Sequence, residues 1–167
     1  KHASEISLVT NQWVNSYKRI SGGFEAPISA TWSSGNRCTM LRVPRYMPNK
    51  SSSRRVEVRT PDPGCNPYLA FAAIFAAGLK GVEEGYEIPP EAEEDVNLMH
   101  PKERKAMGYP DLPKSLASAL ACFESSELMA EALGEHVFEF LIRSKHEEWT
   151  RYSRHVTPFE LRHYLSL

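Results

Sequence analysis

The chain has 167 residues, 41% hydrophobic and 25% charged, with a formal net charge of -1. That composition allows one domain with a real core and supplies no strongly basic stripe for nucleic acid. The three cysteines, Cys38, Cys65 and Cys122, are widely spaced without a CxxC pair, which argues against a disulfide framework or a zinc site and points to a reducing, cytoplasmic setting.

The sequence opens without Met, and Lys1 to Ile6 already reads as helix, so the chain is expected to be a piece of a longer one. Ile6, Val9, Trp13 and Val14 recur near helical spacing, predicting a helix over 3–15. Ser21-Gly22-Gly23 breaks it and leads into Phe24-Glu25-Ala26-Pro27; paired glycines ahead of a proline predict a mobile loop carrying Glu25. Ile28 to Trp32 and Cys38 to Pro44 read as short strands joined by the turn Ser33-Ser34-Gly35-Asn36. Arg37 and Arg42 differ in parity, so they share a site only if Arg37 lies in the turn or a bulge intervenes.

Arg54-Arg55-Val56-Glu57-Val58-Arg59 reads as a strand with Arg55, Glu57 and Arg59 on one face and Val56 and Val58 on the other. Glutamate offers hard oxygen to Mg²⁺, and arginine offers forked donors to phosphate or carboxylate. Cross-strand ion pairing on a solvated face is the alternative. Seven Lys and Arg residues fall between Arg37 and Arg59, which suits a concentrated anion site.

Thr60 to Cys65 stops the strand, and Asn66-Pro67 marks a helix start with Asn as N-cap and Pro at its first position. From Tyr68 to Glu84 apolar residues cover most of the circumference, so this helix is expected to be buried, with Phe75 in the core. Tyr86 to Pro113 reads as a long irregular stretch, either a functional surface loop or a segment held by a partner chain. Helices follow over 116–123, 126–133 with Gly134 as C-cap, and 135–154, and Thr157-Pro158-Phe159-Glu160 opens a last one. No run approaches the ~20 apolar residues of a membrane helix, and no membrane or nucleic-acid partner is expected.

The motifs Asn15-Ser16-Tyr17-Lys18-Arg19, Gly23-Phe24-Glu25-Ala26-Pro27, Asn36-Arg37, Leu41-Arg42-Val43-Pro44, Arg55-Val56-Glu57-Val58-Arg59, Pro61-Asp62-Pro63 and Asn66-Pro67-Tyr68-Leu69, in that order, resemble the C-terminal part of the class I glutamine synthetase catalytic domain. The resemblance implies an α+β fold, with short antiparallel strands packed on a helix-rich C-terminal half. Residues 1–66 carry the active-site strands and flap loop and 67–167 the helical region, while the N-terminal β-grasp domain and upstream catalytic residues are absent. It also implies an ATP-dependent glutamate–ammonia ligase working through γ-glutamyl phosphate, with ATP and Mg²⁺ or Mn²⁺. Glutamate and ammonia or another amine are the substrates, in homo-oligomeric, dodecamer-like rings.

Carried over by position, Glu25 and Arg42 are catalytic, Arg19 and Arg59 bind substrate, Arg37, Arg55 and Lys50 bind nucleotide, and Glu57 binds metal. Gly35 stands where many members have arginine, and Met99 stands where adenylylated members carry tyrosine. A γ-glutamyl-polyamine ligase of the same family and a non-catalytic assembly module are the alternatives. The isolated chain is expected to be inactive.

Overall fold

Asn66 and Pro67 behave as their chemistry dictates: the Asn66 carboxamide accepts from the backbone N–H of Tyr68 and Leu69, and α3 (Pro67–Glu83) starts there. The structure, a computed structural model, describes residues 1–21 and 25–165. The expected hinge at Gly22-Gly23, with Phe24, lies outside the described residues.

The helical half follows local signals closely. Helices α5 (Leu116–Glu124), α6 (Glu127–Leu133), α7 (Glu135–Ser153) and α8 (Pro158–Tyr164) occupy the expected spans. Ser115, Ser126 and Thr157 cap the first, second and last of these, and Gly134 at φ 74 ends α6. Among the described residues, no helix is long and apolar enough to cross a membrane.

The first helix is shorter than its periodicity suggests. Helix α1 covers Ser7–Thr10 and α2 covers Ser16–Arg19. Between them Asn11 leaves helical geometry and donates its buried carboxamide N–H to the Thr60 carbonyl at 2.9 Å, while the Thr10 carbonyl, freed from the helix, accepts from Asp62 N–H. Short polar side chains here compete with the helix and tie the N-terminal segment to the strand end at Thr60.

The α+β class holds, and one strand pairing differs from a hairpin. β1 (Trp32–Ser33) runs parallel to β2 (Leu41–Arg42), which runs antiparallel to β3 (Glu57–Val58), in the order β1-β2-β3. Residues 34–40 loop back, so β2 enters in the direction of β1. The strand expected over 54–59 is regular only at Glu57–Val58, and Val56 is 59% exposed, so its second face is not a buried one.

Leu8, Val9, Leu116, Phe123 and Met129 form the centre of the main core, with Phe123 and Phe138 ring centroids 4.7 Å apart. Helix α1 packs on α3 and α5, and α6 and α7 close the group. The expectation of a buried α3 is corrected here. Only Ala70 and Ala73 are buried, whereas Phe71, Phe75, Leu79 and Val82 are 59–79% exposed. Its periodicity signals a helix apolar on two faces, and these residues supply a partner for one.

Residues 86–113 have structure and internal contacts of their own. They contain α4 (Pro101–Ala106), capped by His100, and a small core of Ala92, Val96 and Tyr109. The buried Arg104 guanidinium donates to Asp111 at 2.9 Å and to the Met99 carbonyl at 2.6 Å. An isolated antiparallel bridge joins Ser29 to Asp111.

Candidate active site

The sheet turns the charge comb into a cluster. Pairing sets Arg42 opposite Glu57, and the Arg42 guanidinium donates to Glu57 Oε2 at 2.9 Å. Arg55, two residues along the same face, reaches Glu57 Oε1 from Nε at 3.2 Å and Nη2 at 3.1 Å. Burial works to raise the Glu57 pKa, but the charge and hydrogen bond of Arg42, with Arg55 beside it, outweigh that and hold the carboxyl below its ordinary value. The carboxylate is thus ionised at neutral pH, between two guanidinium groups.

A second group sits at the other end of the strand. Arg59 N–H bonds the Met40 carbonyl, extending the ladder, and Arg59 Nη2 donates to the Glu25 carbonyl at 3.2 Å. Arg37 lies in the turn before β2, one of the two placements its parity left open, with Nη1 3.8 Å from Glu25 Oε2. Residue 25 is therefore bracketed by two arginines, one at its carbonyl and one at its side chain; both members of the 3.8 Å pair are exposed, so its energy is small. Arg19, on α2, donates from Nη2 to the Thr60 carbonyl, which also accepts from Asn11, and so stands beside the end of the strand. Lys50 is exposed ahead of the 3-10 turn Ser51–Ser53, and its ammonium has no hydrogen bond or ion pair among the described residues.

Three guanidinium donors in this region, Arg19 Nε, Arg42 Nε and Arg59 Nη1, are buried with no partner among the described residues. A buried charged donor left unpaired is costly, so these nitrogens suit an anionic acceptor. The metal fit is partial: among the described residues no group of three or more His, Cys, Asp or Glu could hold an ion. Glu57 fits one ligand to Mg²⁺ or Mn²⁺, with the other ligands from elsewhere. Two clefts, of about 470 and 710 Å³, lie elsewhere on the described residues and are lined by none of the candidate site residues.

Contacts not foreseen from the sequence hold this cluster in place. The Asn36 side chain accepts from Cys38 N–H at 2.8 Å and donates to the Glu94 carbonyl at 2.7 Å, fixing the Arg37 turn against 92–94. Glu91 accepts from Ser34 N–H and from the Ser33 and Ser34 hydroxyls, which lower its pKa, and Trp32 Nε1 donates to the Pro89 carbonyl. Asn97 donates to the Ala26 carbonyl, one residue after Glu25. No local signal marks the contacts to 89–97, which span 57 to 71 positions.

The sequence matches the family described as glutamine synthetase, catalytic domain, over residues 1–164. The chain belongs to the glutamine synthetase family. It is 62% identical over its full length to a glutamine synthetase of Mycobacterium tuberculosis and 41% identical to one of Thermotoga maritima, spanning 37% of each relative's length. Two solved structures superpose over 99% of the chain: a GmaS/ADP complex at TM-score 0.84 and 31% identity, and apo GmaS at TM-score 0.82 and 32% identity. The chain covers 37% and 36% of those two. The match places these residues within the family's catalytic-domain model, with the arginine cluster on the motifs that resemble it.

Proposed function

We propose that these residues form the phosphoryl-transfer wall of an ATP-dependent glutamate–ammonia ligase, completed by parts of a family-length chain that are not included here. The observation that carries this reading is the convergence of Arg42, Arg55 and Glu57 on paired strands, with the unpartnered donors of Arg19, Arg42 and Arg59 around it. Phosphoryl transfer needs positioning and charge cancellation more than covalent chemistry, and this arrangement supplies both. Bound Mg²⁺ or Mn²⁺ would neutralise phosphate charge and orient the nucleotide.

Arg42 and Arg37 face the moving phosphoryl group, Arg55 the nucleotide side, and Arg19 and Arg59 the glutamate carboxylates. Glu57 orients Arg42 and Arg55 and gives one oxygen ligand to the ion. Glu25, held by Arg37 and Arg59 at the mouth, covers the site and accepts a proton from ammonium. Lys50 belongs to the nucleotide side only if its loop moves toward the cluster. The ADP found with GmaS supports a nucleotide, and the glutamine synthetase relatives at 62% identity support ammonia over a larger amine as acceptor. Self-association is part of the same reading, supported by Phe159, Leu161, Tyr164 and Leu165, which are 49–79% exposed at the C-terminal end.

A coupled assay of glutamate- and ammonia-dependent ADP release tests the proposal. The isolated 167 residues are expected to give none and the family-length protein to turn over. Turnover by the isolated chain refutes the need for further residues, and a family-length protein inert with glutamate and every amine offered refutes the ligase reading.

A further inference from the structure

Arg104, in α4, is buried away from the arginine cluster, and its donors hold the two ends of one loop together. It is 5% exposed. The fork donates to Asp111 from Nε at 2.9 Å and from Nη2 at 3.4 Å, while Nη1 donates to the Met99 carbonyl at 2.6 Å. Residues 99 and 111 are thereby fixed relative to each other across α4.

Both ends grip the stretch that leads out of Glu25. Ala30 N–H donates to the Pro110 carbonyl at 2.8 Å, and Leu112 N–H donates to the Ile28 carbonyl at 2.9 Å. Asp111 itself accepts from the Ser29 hydroxyl at 3.4 Å. Two residues before Met99, Asn97 Nδ2 donates to the Ala26 carbonyl at 3.3 Å. Ala26 and Ser29 are buried, and Glu25 directly precedes Ala26.

A guanidinium buried with a carboxylate gains little stability over a well-packed apolar pair, because desolvation offsets most of the attraction. What the fork does supply is fixed geometry between 97–99 and 110–112. The stem 26–30 is tied to both, so the same three bonds set where residue 25 leaves the body of the protein. The Arg37 contact to Glu25 is exposed at 3.8 Å, and the Arg59 bond is to the backbone carbonyl, so aiming the carboxylate falls to the stem.

We infer that Arg104 is a positioning residue for Glu25, holding the stem 26–30 through Asp111 and Met99 so that the carboxylate stands where ammonium gives up its proton. The inference rests on the proposed role of Glu25 and extends it to a side chain on another element.

Two amines separate positioning from stability alone. Ammonium must lose a proton before it attacks the acyl carbon of γ-glutamyl phosphate and expels phosphate, whereas hydroxylamine is already neutral near pH 7 and attacks without that step. The readout is glutamine or γ-glutamyl hydroxamate formed by the family-length protein. Arg104→Met is expected to lower kcat with ammonium by about tenfold and with hydroxylamine by no more than about threefold, with KM for ATP and glutamate within about twofold. Equal losses with the two amines, or no loss with either, overturn the inference. Glu25→Gln is measured alongside. A selective loss in Glu25→Gln beside an unselective Arg104→Met overturns the inference and leaves the role of Glu25 standing; an unselective Glu25→Gln removes that role and the inference with it. If Arg104→Met does not fold, Asn97→Ala decides, since it removes the tie to Ala26 with the buried charge pair intact. It is expected to shift the ratio of the two rates by about threefold in the same direction, and an unchanged ratio overturns the inference.

Discussion

Two phenylalanines, alike in chemistry and both in helices, should differ sharply when truncated. Phe123 in α5 is 0% exposed and packs on Phe138, whereas Phe75 in α3 is 65% exposed. Phe123→Ala removes a full buried ring, a loss of about 3–5 kcal/mol in cores that relax only partly. At ~2–4 °C per kcal/mol for a chain of this size, the melting temperature should fall by roughly 6–20 °C. Phe75→Ala removes mostly hydrated surface, and alanine is the better helix former by roughly 0.5 kcal/mol, so the net change should lie near zero. Thermal unfolding by circular dichroism on both variants of the isolated chain reads this directly. A Phe123→Ala shift under 3 °C, or a Phe75→Ala shift of similar size to that of Phe123→Ala, refutes the assignment of the core.

Other outcomes follow from electrostatics and from the contacts under the arginine turn. Burial pushes the Asp111 pKa up, but hydrogen bonds from Arg104 and Lys114 bring it below its ordinary value. Its stabilising effect is therefore present above the unfolded carboxyl pKa of ~3.9 and lost as pH falls through the folded value. Urea midpoints should drop between pH 5 and pH 3, and Asp111→Asn should flatten that drop; an unchanged slope contradicts the assignment. Burial, then the hydrogen bond to Asp95, raises the Cys38 thiol to about 11. Its alkylation by iodoacetamide should be slow at pH 8 and still accelerating at pH 10, and a plateau by pH 9 would count against this environment. Asn36→Ala should loosen the Arg37 turn while leaving the core intact: limited proteolysis should cut at 34–38 faster with the melting temperature within about 3 °C, and unchanged cleavage would show that Glu94 does not hold the turn.

How much of this was legible depends on the range of the forces. The caps at Asn66, Ser115, Ser126 and Thr157 and the stop at Gly134 are local, so the helices α3 and α5–α8 could be read to within a residue or two. The parity of Arg37 and Arg42 left a turn position or a bulge open for Arg37, and the structure has it in the turn. The parallel β1–β2 pairing and the break at Asn11 depend on partners far along the chain, Glu94 and Thr60, and left no periodic trace. The apolar circumference of α3 marked the helix but overstated its burial, since Phe71, Phe75, Leu79 and Val82 face outward. The site roles came from resemblance rather than spacing. The geometry gathers Glu57 with Arg42 and Arg55, and Glu25 with Arg37 and Arg59, places Arg19 at the strand end, and leaves Lys50 apart.

The most direct measurement is ADP release by the family-length protein carrying Glu57→Ala, assayed across Mg²⁺ and Mn²⁺ concentrations. Loss of turnover to below a hundredth, with folding retained, is the expected result for a carboxylate that serves an ion and orients two arginines. A tenth or more of the activity at unchanged metal dependence contradicts the role given to Glu57, and with it the reading of the strand pair as a phosphoryl-transfer wall.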